Sequence, residues 1–329
     1  RHVLEVGYRL STPAAAGAVP VGWSPEGVRF DLWMSDLEPG RYLEMWVPAP
    51  LCHDRFALAI ELEVTGTDRP HVVISNASVP SGNGDHRAWR LRFPGSSTSL
   101  SPMILLAPAD EVEIRQTTCS LRGRPSPLAV VTARHGEVDA DLAAAEADIV
   151  SWLVHLAARY GPWVHGEAFT ALVWDATRGM EYDGATTASV AALEHEVFHS
   201  WFGRGVKPAR AADGWIDEAW TTWSTSSSRA GSGRFHVAEL ALDGEPTVLY
   251  PAHPWARHTP RESYAGGSRL FAGLAHLLGG AGRLRSAMAA WYQANAGGLV
   301  TTDGLEDHLR SWSGADVGPW FDRYVHGQS

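Results

Sequence analysis

The sequence predicts an α+β chain, with a β-rich N-terminal part followed by a mainly helical part. Three observations carry this. Apolar residues alternate with period 2 before position 124, capped stripes of period 3.6 follow it, and a turn-rich segment lies at the change. The chain has 329 residues, enough for two domains and a large core. Its 45% hydrophobic and 19% charged content is ordinary for a globular protein. The formal net charge of −10 weighs against nucleic acid or an anionic membrane as main partner, since both select a basic surface. No apolar run reaches the ~18 residues of a membrane span. Two cysteines, Cys52 and Cys119, exclude a disulfide framework. The chain begins at Arg1, which leaves the compartment open, with the cytoplasm favoured.

Taken in order, Val28, Phe30 and Leu32 alternate with Arg29 and Asp31, the mark of a half-buried strand. Phe56, Leu58, Ile60, Leu62 and Val64 alternate with Ala57, Ala59, Glu61 and Glu63 in the same way. Further strands are expected at 71–75, 89–93 and 111–115, with turns at 81–85 and 94–97. Several short strands with polar turns suggest a sandwich or a saddle-shaped sheet. The segment 121–127, rich in Gly, Ser and Pro, reads as a linker, giving units 1–124 and 125–329. Asp139 or Asp141 would then cap a long helix with the apolar stripe Leu142, Ile149, Leu153 and Leu156, ended by Gly161-Pro162. A strand is expected at 169–174, a helix from about Ser189, and further helices at 213–229, 264–278, 283–295 and 302–312.

The helix after Ser189 carries His195-Glu196-x-x-His199. Positions i and i+4 share one helix face, so His195 and His199 can offer two imidazoles to one metal, with Glu196 beside it as a base. A catalytic zinc takes three protein ligands and leaves one position for water. Glu218 is the candidate third ligand. It follows His199 after eighteen intervening residues, among Trp215, Ala219 and Thr222, and 203–214 is long enough to reverse the chain. Two His and one Glu suit zinc. Asp217 and Thr222 are candidates for orienting the ligands. Arg204, Lys207 and Arg210 read as a solvated basic turn, and His253 and His258 as exposed loop histidines.

His195-Glu196-x-x-His199-Ser-Trp-Phe-Gly, followed by Trp215-Ile-Asp-Glu218-Ala, resembles the gluzincin aminopeptidases, the family of aminopeptidase N and leukotriene hydrolase. The family pattern has Gly where this chain has Ala219. Gly179-Met180-Glu181-Tyr182 resembles the family's G-x-M-E-N segment, an edge strand lining the substrate groove, with Tyr182 in place of Asn. The resemblance implies that Glu181 binds the substrate's free amino group and that Met180 shapes the first-residue pocket. Tyr264 matches the Tyr that donates to the oxyanion, although Ala265 and Gly266 replace the family's Glu and Lys and the spacing from Glu218 is shorter. Glu38, with Glu44 behind it, is the candidate second acid from the β domain. The family fold implied is a β-sandwich or saddle domain followed by a thermolysin-like, mainly helical catalytic domain. Compared with the family, the β domain is shorter, and the helical domain that closes the cavity has no counterpart in this sequence.

The function implied is zinc-dependent removal of an N-terminal residue from a peptide or peptide-like small molecule with a free amine. The alternatives are a dedicated pathway hydrolase acting on one small amide or epoxide, and a zinc-stabilised binding module without catalysis.

Overall fold

The computed structural model describes residues 5–9, 21–24, 27–31, 43, 47, 54–78, 87–174, 179–229, 237–243, 245–247, 249 and 259–328. The chain opens with strands. These are β1 (Val21–Ser24), β2 (Gly27–Asp31), β3 (Phe56–Glu63), β4 (His71–Ser75), β5 (Ala88–Ser97) and β6 (Ile104–Pro108). β1, β2, β6 and β4 make one four-stranded sheet, and β3 pairs with β5. The alternation read in 56–63 is present: each apolar residue of β3 is partly buried and each intervening residue is exposed. The turn expected at 94–97 is instead the end of β5. The register with β3 shifts between Phe56 and Leu58. Pro94 falls in that irregularity, where no ladder N–H is required of it.

β7 (Val112–Cys119) and β8 (Leu128–His135) form an antiparallel hairpin paired from Val112↔His135 to Cys119↔Leu128. The segment expected as a linker is the loop of that hairpin, so sheet hydrogen bonds run across position 124. The long helix α1 (Leu142–Tyr160) starts where Asp141 accepts hydrogen bonds from the Ala143 and Ala144 N–H groups, and it stops at Gly161. Next come β9 (Ala168–Val173), β10 (Met180–Tyr182) and β11 (Ala185–Ala188). They complete a five-stranded sheet of order β10-β11-β9-β8-β7, with β8, β9 and β11 parallel and β10 at one edge. Both faces of this sheet are covered. Phe169, Ala171 and Val173 point into a core with α1, while Leu172, Met180 and Ala185 point into a core with Leu91, Phe93 and Leu105.

The rest is mainly helical: α2 (Leu193–Phe198), the short strand β12 (Lys207–Pro208), α3 (Trp215–Arg229), α4 (Ser268–Leu277), α5 (Ala281–Asn295), β13 (Leu299–Val300), α6 (Thr302–Ser313) and α7 (Gly318–Tyr324). A π-turn over Ser263–Gly267 leads into α4. Aromatic side chains fill the helical core. Tyr160 meets Phe198 and Phe202 edge-on, and Trp220 stacks on Trp223 at 5.1 Å. The architecture is α+β, sheets first and helices after. No helix among the described residues is long and apolar enough to cross a membrane.

Candidate metal centre

α2 is short, but it carries the whole His-Glu-x-x-His turn, with His199 as its cap. It packs on α3, whose first turn holds Asp217 and Glu218. The reversal between the two helices brings one donor atom each from His195, His199 and Glu218 to within 4.8 Å of one another. His195 Nε2 lies 3.1 Å from Glu218 Oε2, and His199 Nε2 lies 3.8 Å from the same oxygen. Donor atoms around a tetrahedral zinc stand about 3.3 Å apart, so these separations suit it.

The hydrogen bonds orient the two rings. Thr225 donates its hydroxyl to the Thr221 carbonyl at 2.8 Å, so towards His195 Nδ1, 3.2 Å away, it is left to accept. His195 then carries its proton on Nδ1 and turns a lone pair outward on Nε2. His199 Nδ1 bonds the Asp217 carboxylate, with the Phe202 carbonyl and the Thr221 hydroxyl at 3.3 Å. Its Nε2 is buried and has no hydrogen-bond partner among the described residues. The Tyr264 hydroxyl donates to Glu218 Oε1 at 2.7 Å, leaving Oε2 turned to the two imidazoles. One ring nitrogen of each histidine and one carboxylate oxygen therefore face one point. That donor set fits a divalent cation.

The electrostatics point the same way. Burial opposes a charged His199, but Asp217, Glu181 and Glu218 outweigh it and hold the imidazole well above its usual range. Burial also opposes ionisation of Glu218, yet His199, His195 and the Tyr264 hydroxyl draw it down to about 2. Asp217 is pushed up to about 7 by burial, with Glu181 and Glu218 adding to the rise and His199 pulling against it. The cluster calls for positive charge between rings and carboxylates. Asp217→Asn is expected to weaken zinc binding roughly 10–100-fold, read by competition with a chelator, because the amide is a weaker acceptor for the His199 N–H.

Glu196 is buried on α2, against Gly179 at the entry to β10. A β-carbon at Gly179 would overlap the Glu196 carboxylate, so the glycine's part here is to make room for that group. Met180 is 2% exposed and sits in the core with Leu91 and Phe93, so its side chain seats the strand instead of lining an open groove. Glu181 is 3% exposed and takes Arg204 Nη2 on its Oε1 at 2.6 Å. Tyr264 rides on the π-turn, which reaches α3 because Gly267 lies directly on Ala219; a β-carbon on Gly267 would overlap that of Ala219. Glu38, Glu44, His253 and His258 lie outside the described residues.

Arg204 and Lys207 are not a solvated turn. Both are buried, Arg204 on Glu181 and Lys207 on Asp183 at 2.6 Å. Thr221 and Thr225 were not singled out in the sequence as ligand-orienting groups, yet both contact the imidazoles, whereas the Thr222 hydroxyl is buried with no hydrogen-bond partner among the described residues. Helical spacing from Glu218 was the available clue, since positions 221, 222 and 225 all follow it at i+3, i+4 or i+7.

No protein-family model matches the chain, and no curated protein sequence matches it. Solved structures do. A zinc metallopeptidase of the M1 family from Deinococcus radiodurans superposes over 92% of this chain and 70% of its own, with TM-score 0.63 and 16% identity. The chain has the M1 zinc metallopeptidase fold. Other M1-fold matches are yeast LTA4 hydrolase, with TM-score 0.59, 14% identity, 90% of this chain and 51% of that one, and Legionella pneumophila aminopeptidase A, with 0.58, 12%, 84% and 39%. Against a variant of the Deinococcus protein, the chain spans 65% of that protein's length. The M1 fold thus rests on structure, and the resemblance read from the motifs agrees with it.

Proposed function

We propose that the chain is a zinc-dependent aminopeptidase that hydrolyses the N-terminal peptide bond of a peptide or peptide-like small molecule with a free amine. One observation carries the reading: His195, His199 and Glu218 bring one donor atom each to within 4.8 Å of one another, beside Glu196 on the helix that carries both histidines. Zinc bound by those three residues would acidify a coordinated water and polarise a carbonyl. Glu196 would accept the attacking water's proton and return it to the leaving amine. The Tyr264 hydroxyl would turn from Glu218 to the substrate oxygen as negative charge develops there. Glu181 would share its carboxylate between Arg204 and the substrate ammonium, and so set the exopeptidase register. Gly179 and Met180 would line the groove through the backbone of the β10 edge, and Glu38 is proposed as a second acid for the amine. In support, one structural neighbour from Deinococcus radiodurans is bound to a Tyr-Ser-Ala substrate.

A second reading is a dedicated hydrolase of one small amide or epoxide. The Arg204–Glu181 ion pair favours it, because the carboxylate meant for the amine is already engaged. Zinc content and a panel of aminoacyl amides and short peptides separate the two. Broad cleavage of unrelated aminoacyl amides supports the aminopeptidase, and turnover of a single compound supports the second reading. Stoichiometric zinc with no cleavage of any of them removes the aminopeptidase reading.

A further inference from the structure

Two cations after α2 reach back to the two acids that flank Tyr182. Arg204 Nη2 meets Glu181 Oε1 at 2.6 Å, and Lys207 Nζ meets Asp183 Oδ2 at 2.6 Å. β10 is therefore clasped at both acids. Lys207 also donates to the Ser96 carbonyl at 2.8 Å, and Met180 and Tyr182 are buried in the core with Leu91 and Phe93. The strand pairs with β11 from Met180↔Thr187 to Tyr182↔Ala185. The backbone at Glu181 is thus held without Arg204. A buried ion pair adds little stability over apolar packing, because desolvating both charges offsets their attraction. Folding alone does not account for a guanidinium at this place.

The place itself is informative. The Arg204 main-chain N–H donates to the His199 carbonyl at 3.0 Å, so the residue is fixed to the end of the metal-facing helix. Its side chain ends on a carboxylate that stands at the metal centre. A Glu181 oxygen, an Asp217 oxygen and a His199 ring nitrogen lie within 4.8 Å of one another. Both side chains of the Arg204–Glu181 pair are 4% exposed, so salt and water screen them little. A carboxylate that already holds a guanidinium attracts a second cation weakly, and an ammonium arriving there meets a like charge beside it.

We propose that Arg204 is a positioning residue that sets the specificity of the site through Glu181. It weakens the demand for a charged α-amine, so that amides of acids without an α-amine are accepted beside free-amine peptides. The inference rests on the reading of Glu181 as the partner of the substrate ammonium.

The test uses zinc-loaded protein: wild type, Arg204→Gln, Arg204→Met, Arg204→Lys and Arg204→Gln/Glu181→Gln. The probes are L-phenylalanine hydroxamate and 3-phenylpropionohydroxamate, which chelate a metal through the same group and differ only in the α-amine. Calorimetry gives the affinity of each. In Arg204→Gln and Arg204→Met the preference for the amine should rise at least about tenfold over wild type, through tighter binding of the amine-bearing probe. Arg204→Lys keeps the charge and should keep the wild-type preference. The double variant should lose the gain, because the carboxylate that attracted the amine is gone. A role confined to structure would weaken both probes together and leave their ratio where it was. The proposal is overturned if the ratio is unchanged or falls in folded Arg204→Gln and Arg204→Met, or if Arg204→Lys changes it as they do. Arg204→Gln keeps an N–H for Glu181, so a charge-free variant remains should Arg204→Met fail to fold. KM for the anilides of phenylalanine and 3-phenylpropionic acid should move with the probes, with kcat less affected. If neither anilide is cleaved, the aminopeptidase reading fails while the hydroxamate pair still decides the part of Arg204.

Discussion

Glu196→Gln is expected to bind zinc as the wild type does and to lose about 10²–10⁴-fold in kcat. Glu196 is not among the three residues whose donor atoms converge, so its charge is not needed to hold the ion. The amide has the shape of the carboxylate and fits the same space against Gly179, so the fold should not register the change. What is removed is the ability to take and return a proton. Metal analysis and single-turnover kinetics on one aminoacyl amide measure the two halves separately. Wild-type turnover in this variant would remove Glu196 as the base.

A second large effect is expected one strand away. Gly179→Ala puts a β-carbon where the Glu196 carboxylate now lies. The two cannot coexist, so either the carboxylate leaves its position or the entry to β10 moves. The backbone at Gly179 is not in the left-handed region, so strain in the chain itself is not the cause. Misplacing a reacting group by about 1 Å costs on the order of 10²-fold, and kcat should fall by about that much with zinc retained. The effect acts through Glu196. The double variant Gly179→Ala/Glu196→Gln should therefore be hardly slower than Glu196→Gln alone. Fully multiplicative losses would show that Gly179 acts elsewhere.

Much of the helical part was legible because its signals are local. Asp141 caps α1 and Gly161 ends it, and the spacing from His199 to Glu218 anticipates two helices facing each other. β3 and β4 were legible too, because one periodicity governs a half-buried strand. β6 and β8 were missed for the opposite reason. Ile104–Pro108 is buried throughout and Leu128–His135 faces cores on both sides, so neither shows polar alternation. The basic residues after α2 were misjudged because charge usually implies solvent, whereas the carboxylates that neutralise Arg204 and Lys207 come from residues 181 and 183. Of the site, the convergence of His195, His199 and Glu218 was readable from spacing. The groups behind it were not: Thr225 on His195, and Gly179 beneath Glu196, are contacts made only by packing.

The five-stranded sheet has a consequence for how the molecule comes apart. Val173 belongs to the core beneath α1, and its neighbour Leu172 belongs to the core shared with β5 and β6. Neither core is complete without β9, so melting either one strips a face from the strand that holds the other together. Two bodies of secondary structure are thereby tied into one unfolding unit. An ion bound between α2 and α3 would then lend its binding free energy to the N-terminal strands as well, although it touches none of them.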